Sequence, residues 1–324
     1  MHPFGYLRAD SLEAALGADA ERAVFIAGGT CLVDLMRLGV MKPERLIDLN
    51  RLSLDRVVET EQGVSIGALV RNSALAEHTA IRTRYRALSE ALLSGASPQL
   101  RNRATVGGNL MQRTRCAYFR NSFPRCNKLV PGSGCAAFDG ENREHAILGG
   151  SEHCIAVHPS DMCVAMVAFE AQIRLRSKQG ERVVPIGEFH LLPGRRPDVE
   201  TVLAPGEIIT EVMLPAVPFF ARSRYVKARD RASYEFALAS AAVALDVVGG
   251  TIRAARVALG GVGTKPWRSR EAEQILMGRA PNGPAFEEAA RAALAQVAPR
   301  PHNAFKVVLA QKTLVRALEQ AANA

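Results

Sequence analysis

Between Gln112 and Gly150 the chain loses every hydrophobic period, and this stretch limits the possible folds more than any other. Asn, Gly, Pro, Arg and Ser dominate it, and no helix or strand of ordinary length fits between Arg113 and Gly149. A segment of that length without secondary structure is uncommon in a compact domain unless something other than an apolar core orders it. Four of the six cysteines, Cys116, Cys126, Cys135 and Cys154, lie in or just beyond it, with 9, 8 and 18 residues between them. Two disulfides, a structural zinc or an iron–sulfur cluster could each order the segment through four thiols. The close cysteine pair usual at zinc sites is missing. Five basic residues (Arg113, Arg115, Arg120, Arg125, Lys128) and no acidic one lie between 113 and 128. A 4Fe–4S cluster on four thiolates carries a charge of about −2, which such surroundings would offset and a disulfide would not use. Cys31 and Cys163 sit on or beside apolar helix faces, where a buried free cysteine behaves as a small hydrophobe.

The flanks read as mixed α and β. Val24-Phe25-Ile26-Ala27, the Gly28-Gly29-Thr30 turn and the apolar face Leu32, Val33, Leu35, Met36 form a strand-turn-helix unit. Leu46 to Leu49 predicts a second strand, Gln62-Gly63 a hairpin turn, and 72–94 helical structure. Cys154 to Val157 predicts a short strand, 161–169 a helix capped by Ser160 or Asp161, and the alternation from Phe169 to Arg176 a half-buried strand. Pro215 and Pro218 mark a boundary. Strands at 224–229, 236–247 and 252–259 and helices at 266–277, 284–297 and 303–321 then suggest a separate C-terminal α+β domain.

A length of 324 residues suits two domains, and 48% hydrophobic with 23% charged residues suits a globular chain. No apolar run approaches a membrane span. Arg8, Asp10 and Glu13 stand where a signal peptide needs an apolar core, so no export signal of the chain's own is expected. The net charge of +9 is scattered and aromatics are 6%, which argues against nucleic acid and suits an anionic cofactor or partner subunit.

Ala27-Gly28-Gly29-Thr30 and Thr105-Val106-Gly107-Gly108-Asn109 are two glycine turns whose backbone N–H groups could face a pyrophosphate. The G-x-G-x-x-G fingerprint, a Walker sequence and G-x-S-x-G are all absent. The seven histidines form no H-x-x-x-H pair, and His153 and His158 read as loop residues without a catalytic role.

Together with His158-Pro159-Ser160-Asp161, Ala258-Leu259-Gly260-Gly261-Val262 and Pro266-Trp267-Arg268, the glycine turns resemble the FAD-binding medium subunit of the molybdenum hydroxylases, the xanthine dehydrogenase family. The cysteine segment resembles a narrower branch, the periplasmic aldehyde oxidoreductases, whose flavin subunit holds an additional 4Fe–4S cluster. The resemblance implies an α+β fold. An FAD-binding domain of vanillyl-alcohol-oxidase (PCMH) type, in two subdomains, would span 1–218 with the iron–sulfur insertion at about 113–154. A smaller C-terminal α+β domain of the CO dehydrogenase flavoprotein type would span 222–324. It further implies that Phe25, Ile26, Ala27, Gly28, Gly29, Thr30, Cys31 and Leu32 wrap the FAD pyrophosphate with Thr105, Gly108 and Asn109. Asp161 would bind the ribityl or phosphate end, Ile209 would lie beside the ring system or the adenine, and Lys227 near the flavin. Cys116, Cys126, Cys135 and Cys154 would be the cluster ligands, and no residue here would be catalytic. A large molybdenum-cofactor subunit and a small 2Fe–2S subunit would complete a heterotrimer, exported to the periplasm on a partner's twin-arginine signal, with a cytoplasmic complex as the alternative. A self-contained flavin oxidoreductase and a non-enzymatic metal-stapled scaffold are the competing readings.

Overall fold

The computed structural model describes residues 1–18 and 23–324. A parallel sheet opens the fold, built from β1 (Gly5–Arg8), β2 (Ala23–Ile26) and β3 (Arg45–Asp48) in the order β1-β3-β2. The helix Leu32–Arg37 follows β2 and buries Leu35 and Met36, as the apolar spacing predicts. β1 was not foreseen: all four of its residues are exposed, so it carries no alternation to read.

An antiparallel sheet comprises β4 (Val57–Thr60), β5 (Gly63–Gly67), β6 (Gln172–Ser177), β7 (Gly180–Pro185) and β8 (Ile208–Pro215), in the order β4-β5-β8-β6-β7. The expected hairpin joins β4 to β5. The helical periodicity of 72–94 resolves into three helices, Asn72–Glu77, Thr79–Arg84 and Arg86–Ser94, because His78 is extended and Tyr85 leaves helical geometry. The alternating strand begins at Gln172 rather than Phe169. Phe169 caps the preceding helix, Asp161–Ala168, and Glu170 turns the chain with a φ of 56°.

The third sheet holds β9 (Ser223–Ala228), β10 (Ala239–Val248), β11 (Thr251–Gly260) and β12 (Trp267–Arg268), in the order β12-β11-β10-β9. β12 occupies the start of the predicted 266–277 helix, which begins only at Arg270 after its cap Ser269. Successive β10 side chains face opposite layers. Ala242 and Ala244 join the core of the second sheet and the helix Asp161–Ala168, whereas Ala241, Val243 and Leu245 pack with the helices Gly283–Ala293 and Phe305–Ala322. Alanine on the inner face lets the two layers come close.

Among the described residues from 113 to 154, regular structure is limited to the helix Ala117–Arg120 and to bridges at Cys126–Cys135 and Leu148–Gly263. The expected strand at 154–157 is irregular. Ile155 O accepts from Ala146 N–H and His158 N–H donates to Gly263 O, so this apolar run pairs with loops and not with a sheet neighbour. Among the described residues no helix is long and apolar enough to cross a membrane.

Candidate functional site

The two glycine turns are one structure. A Cβ on Gly28 would sit 2.3 Å from the carbonyl oxygen of Arg103, so only glycine lets the first turn lie on the second. Arg103 Nε donates to Gly28 O, Arg71 donates to Arg103 O at 2.6 Å and Asn50 Oδ1 at 3.0 Å, and Asn50 donates to Ala27 O at 2.9 Å. Gly29 has a φ of 75°, in the left-handed region. The glycines were expected to make room for a pyrophosphate; in the structure Gly28 makes room for the neighbouring turn. Thr105 is buried and its Oγ1 accepts from Gly108 N–H at 3.1 Å, capping the helix Val106–Leu110.

Two cavities flank this crossing. One, of about 650 Å³, is lined by Thr30, Cys31, Gly108, Asn109, Asp161 and Lys227 among the expected residues, a volume in the usual range for ligand sites. The other, of about 110 Å³, is apolar and is lined by Phe25, Ala27, Thr105, Gly108 and Ile209. Ile26, Gly28, Gly29 and Leu32 line neither; they shape the turn from behind. Sequence reasoning missed Arg37, Arg101, Arg115, Arg120 and Arg231 on the wall of the larger cavity. With Lys227 they face three carboxylates, Asp34, Asp161 and Glu235, so the wall carries a cationic excess suited to a dianionic pyrophosphate. Arg101 lies four residues before Thr105 and the second glycine turn, and that proximity was the available signal.

The acidic end of the site is a buried network. Ser160, not Asp161, is the helix cap, accepting from Cys163 N–H at 3.0 Å and donating to Asn109 Oδ1 at 2.7 Å, an oxygen also bonded by Gln112. Asp161 accepts from Lys227 Nζ at 2.8 Å and from Tyr225 OH at 2.5 Å. The side chains of Lys227 and Asp161 are 4% and 9% exposed, so neither charge is well solvated without the other. Burial, reinforced by the Asp161 carboxylate, holds the Tyr225 hydroxyl well above its ordinary pKa. Lys227 also donates to Ser94 O, tying β9 to the end of the helix Arg86–Ser94.

Cys116, Cys126, Cys135 and Cys154 converge on one small void, and all four are free thiols. No three of these sulfurs lie within 4.8 Å of one another among the described residues. A single zinc with sulfur at about 2.3 Å would draw them closer than that. Cys126 and Cys135 face each other across an antiparallel bridge, a Cα spacing that a disulfide could also span. Burial pushes the Cys116 thiol up to about 12 and Cys154 up to about 11. Backbone N–H groups of Tyr118 and Phe119 point at Cys116, and those of Ala137 and Ile155 at Cys135. Burial thus outweighs these N–H donors, and without a further positive charge at the site the sulfurs stay protonated thiols.

The basic surroundings differ from their linear reading. Arg113 and Lys128 pair with Glu200, Arg115 and Arg120 with Asp34, and Arg125 with Asp139. Five cations thus share three carboxylates, and of the five only Arg125 and Lys128 line the void between the thiols. Cys31 belongs to the small core that docks the insertion: with Leu35 it packs near Phe119, Cys116 and Cys126, and its sulfur accepts from Arg113 N–H.

His145 and His190 escaped notice because their partners are remote in sequence, and His158 was read only as a loop residue. His145 lies buried with Nε2 3.2 Å from Cys116 Sγ. His158 and His190 stack edge to face at 4.3 Å, and burial pulls the pKa of His190 down to about 4 and holds that of His158 well below its ordinary value. Together with Cys163 they offer donor atoms within 4.8 Å of one another. The stacked rings, the His190 bond to Leu110 O and the Ser160 N–H bond to His158 Nδ1 make this a packing contact.

Comparison with known proteins agrees with this geometry. Residues 2–217 match the FAD binding domain in molybdopterin dehydrogenase, and residues 224–321 match the CO dehydrogenase flavoprotein C-terminal domain. The chain is 47% identical over 325 residues to the aldehyde oxidoreductase FAD-binding subunit PaoB of Escherichia coli (strain K12), covering 99% of each chain. It is 30% identical to the 6-hydroxypseudooxynicotine dehydrogenase complex subunit alpha of Paenarthrobacter nicotinovorans, over 98% of this chain and 95% of that one. A carbon monoxide dehydrogenase structure from Hydrogenophaga pseudoflava superposes with a TM-score of 0.76 at 27% identity, covering 98% of this chain and 97% of that one. The two crossed glycine turns, the cationic cavity beside them and the C-terminal sheet packed behind are thus those of a flavin-binding oxidoreductase subunit, and the chain belongs to the FAD-binding medium subunits of the molybdenum hydroxylase family.

Proposed function

We propose that this chain is the electron-transfer flavoprotein of a molybdenum-dependent aldehyde oxidoreductase, holding FAD at the crossed glycine turns and one 4Fe–4S cluster on Cys116, Cys126, Cys135 and Cys154. The observation that carries the reading is the convergence of four free thiols, Cys126 and Cys154 buried and Cys116 and Cys135 half-buried, on one void beside the cavity lined by the expected flavin residues. The 47% identity to an aldehyde oxidoreductase subunit supports the substrate class.

FAD supplies the redox chemistry when bound, and the protein supplies position and electrostatics. The arginines of the larger cavity would neutralise the pyrophosphate, and Gly108 N–H and Asn109 would border it. Ile209 and Phe25 close the smaller apolar cavity, which favours the adenine end for Ile209. The Asp161–Lys227 pair would meet the ribityl side, with Lys227 held at the wall by Ser94 O. The cavity's three carboxylates are each paired, Asp34 with Arg115 and Arg120, Asp161 with Lys227 and Glu235 with Arg231; aldehyde chemistry would lie on a large molybdenum-cofactor partner, with electron entry through a small 2Fe–2S partner. The assembled heterotrimer is proposed to reach the periplasm on a partner's twin-arginine signal; retention of the complex in the cytoplasm would be the alternative.

Expression with and without the two partners tests this. The isolated chain should bind FAD and leave aldehydes untouched, and turnover with an artificial acceptor should require all three chains. Robust aldehyde oxidation by the isolated chain would favour a self-contained flavin enzyme instead.

A further inference from the structure

His145 lies between Cys135 and Cys154, inside the run of proposed ligands, and is unusually constrained. Its Nε2 is 3.2 Å from Cys116 Sγ, while its Nδ1 is buried with no hydrogen-bond partner among the described residues. The last helix clamps its backbone: Lys306 Nζ donates to His145 O at 3.1 Å and to Gly261 O at 2.8 Å, and Asn303 Nδ2 also donates to His145 O. Lys306 and Asn303 are both fully buried, so the position of residue 145 is set by the C-terminal layer and not by solvent.

The neutral ring has one proton to place. On Nδ1 it would leave a buried N–H without an acceptor and turn a nitrogen lone pair toward the sulfur. On Nε2 it points at the sulfur and leaves only a bare acceptor at Nδ1, which costs less. The geometry therefore assigns the Nε2–H tautomer, a side-chain donor added to the backbone donors from Tyr118 and Phe119 that already serve Cys116.

We infer that His145 is a positioning residue that sets the reduction potential of the iron–sulfur centre by hydrogen-bonding Cys116, with the Lys306 and Asn303 clamp fixing that bond from the C-terminal layer. The inference rests on the cluster reading above. A donor to a ligating sulfur stabilises the more electron-rich, reduced cluster, so it raises the potential. Because the clamp on His145 comes from the C-terminal layer, the cluster's potential would depend on how that layer packs against the insertion.

The test is an EPR-monitored redox titration of the anaerobically purified complex, comparing wild type with His145→Phe and His145→Gln, with iron content measured on each. His145→Phe should keep its iron and, at a given ambient potential, show about a tenfold lower reduced-to-oxidised cluster ratio, equivalent to about 59 mV for one electron. His145→Gln, whose amide can still donate, should recover part of that shift, and the FAD midpoint should not move in either. An unchanged cluster potential in iron-replete His145→Phe would overturn the tuning role. Loss of iron from both variants would also overturn it, making His145 an assembly residue. Absence of iron from wild type would instead defeat the cluster reading beneath it.

Discussion

At the scale of single residues, the site depends on charges that cannot stand alone. Replacing Lys227 with Met leaves Asp161 buried against Tyr225 without its cation, and breaking one half of such a pair costs about 3–5 kcal/mol. We expect a clear drop in the thermal midpoint of Lys227→Met, with part of it recovered in the Asp161→Asn/Lys227→Met double variant; an unchanged midpoint in the single variant would show that the pair is solvated. Residues of this kind were half legible. Asp161 was singled out through a family motif and Lys227 through the family resemblance alone, yet nothing in sequence tells that they bond each other across β9 and a helix terminus. The five basic residues of the insertion were read correctly in kind and wrongly in company. Their carboxylates come from positions 34, 139 and 200, and pairing over such separations leaves no local mark. His145 was invisible for the same reason, since its partner lies 29 positions away.

Among elements, the glycine turns and the insertion each lead to a test. Because a Cβ at Gly28 strikes the backbone of Arg103, Gly28→Val should displace the 103–109 turn and abolish FAD binding, whereas Gly17→Ala, with open space around it, should bind FAD normally. Full flavin occupancy in Gly28→Val would show that the crossing is dispensable. The insertion docks through Glu200. Burial opposes ionisation of this carboxyl, but Lys128 and Arg113 outweigh it and hold its pKa below the ordinary value. A depressed folded pKa contributes stability that is present above the unfolded value of about 4.3 and is lost as pH falls through the folded one. Wild type should therefore melt above Glu200→Gln at pH 7, and the gap should close below about pH 4; a gap constant with pH would exclude the ion pair as its source. Elements with a strong period were readable, as β10, β11 and the helix Phe305–Ala322 show. The run at 154–157 was misjudged because apolar composition reports burial, and here the burial comes from loops at 146 and 263.

Across the whole molecule, the second and third sheets share a core, and the cationic cavity, the cysteine site and the C-terminal layer meet around residues 145–161. The unpatterned segment was legible only as one that needs an ordering agent; the folded chain shows its three thiols and Cys154 around one void and a small core at Leu35 and Phe119. The helix Leu32–Arg37 belongs to both regions, with Cys31 at its start packed into the insertion and Asp34 paired to its arginines. A centre on those thiols would therefore bear directly on the glycine turn that begins the same helix. The account stands or falls on iron and acid-labile sulfide analysis, with FAD determination, of the anaerobically purified chain. It predicts about four irons and about four sulfides per chain alongside one FAD. Zinc in their place, or a Cys126–Cys135 disulfide with no iron, would contradict it.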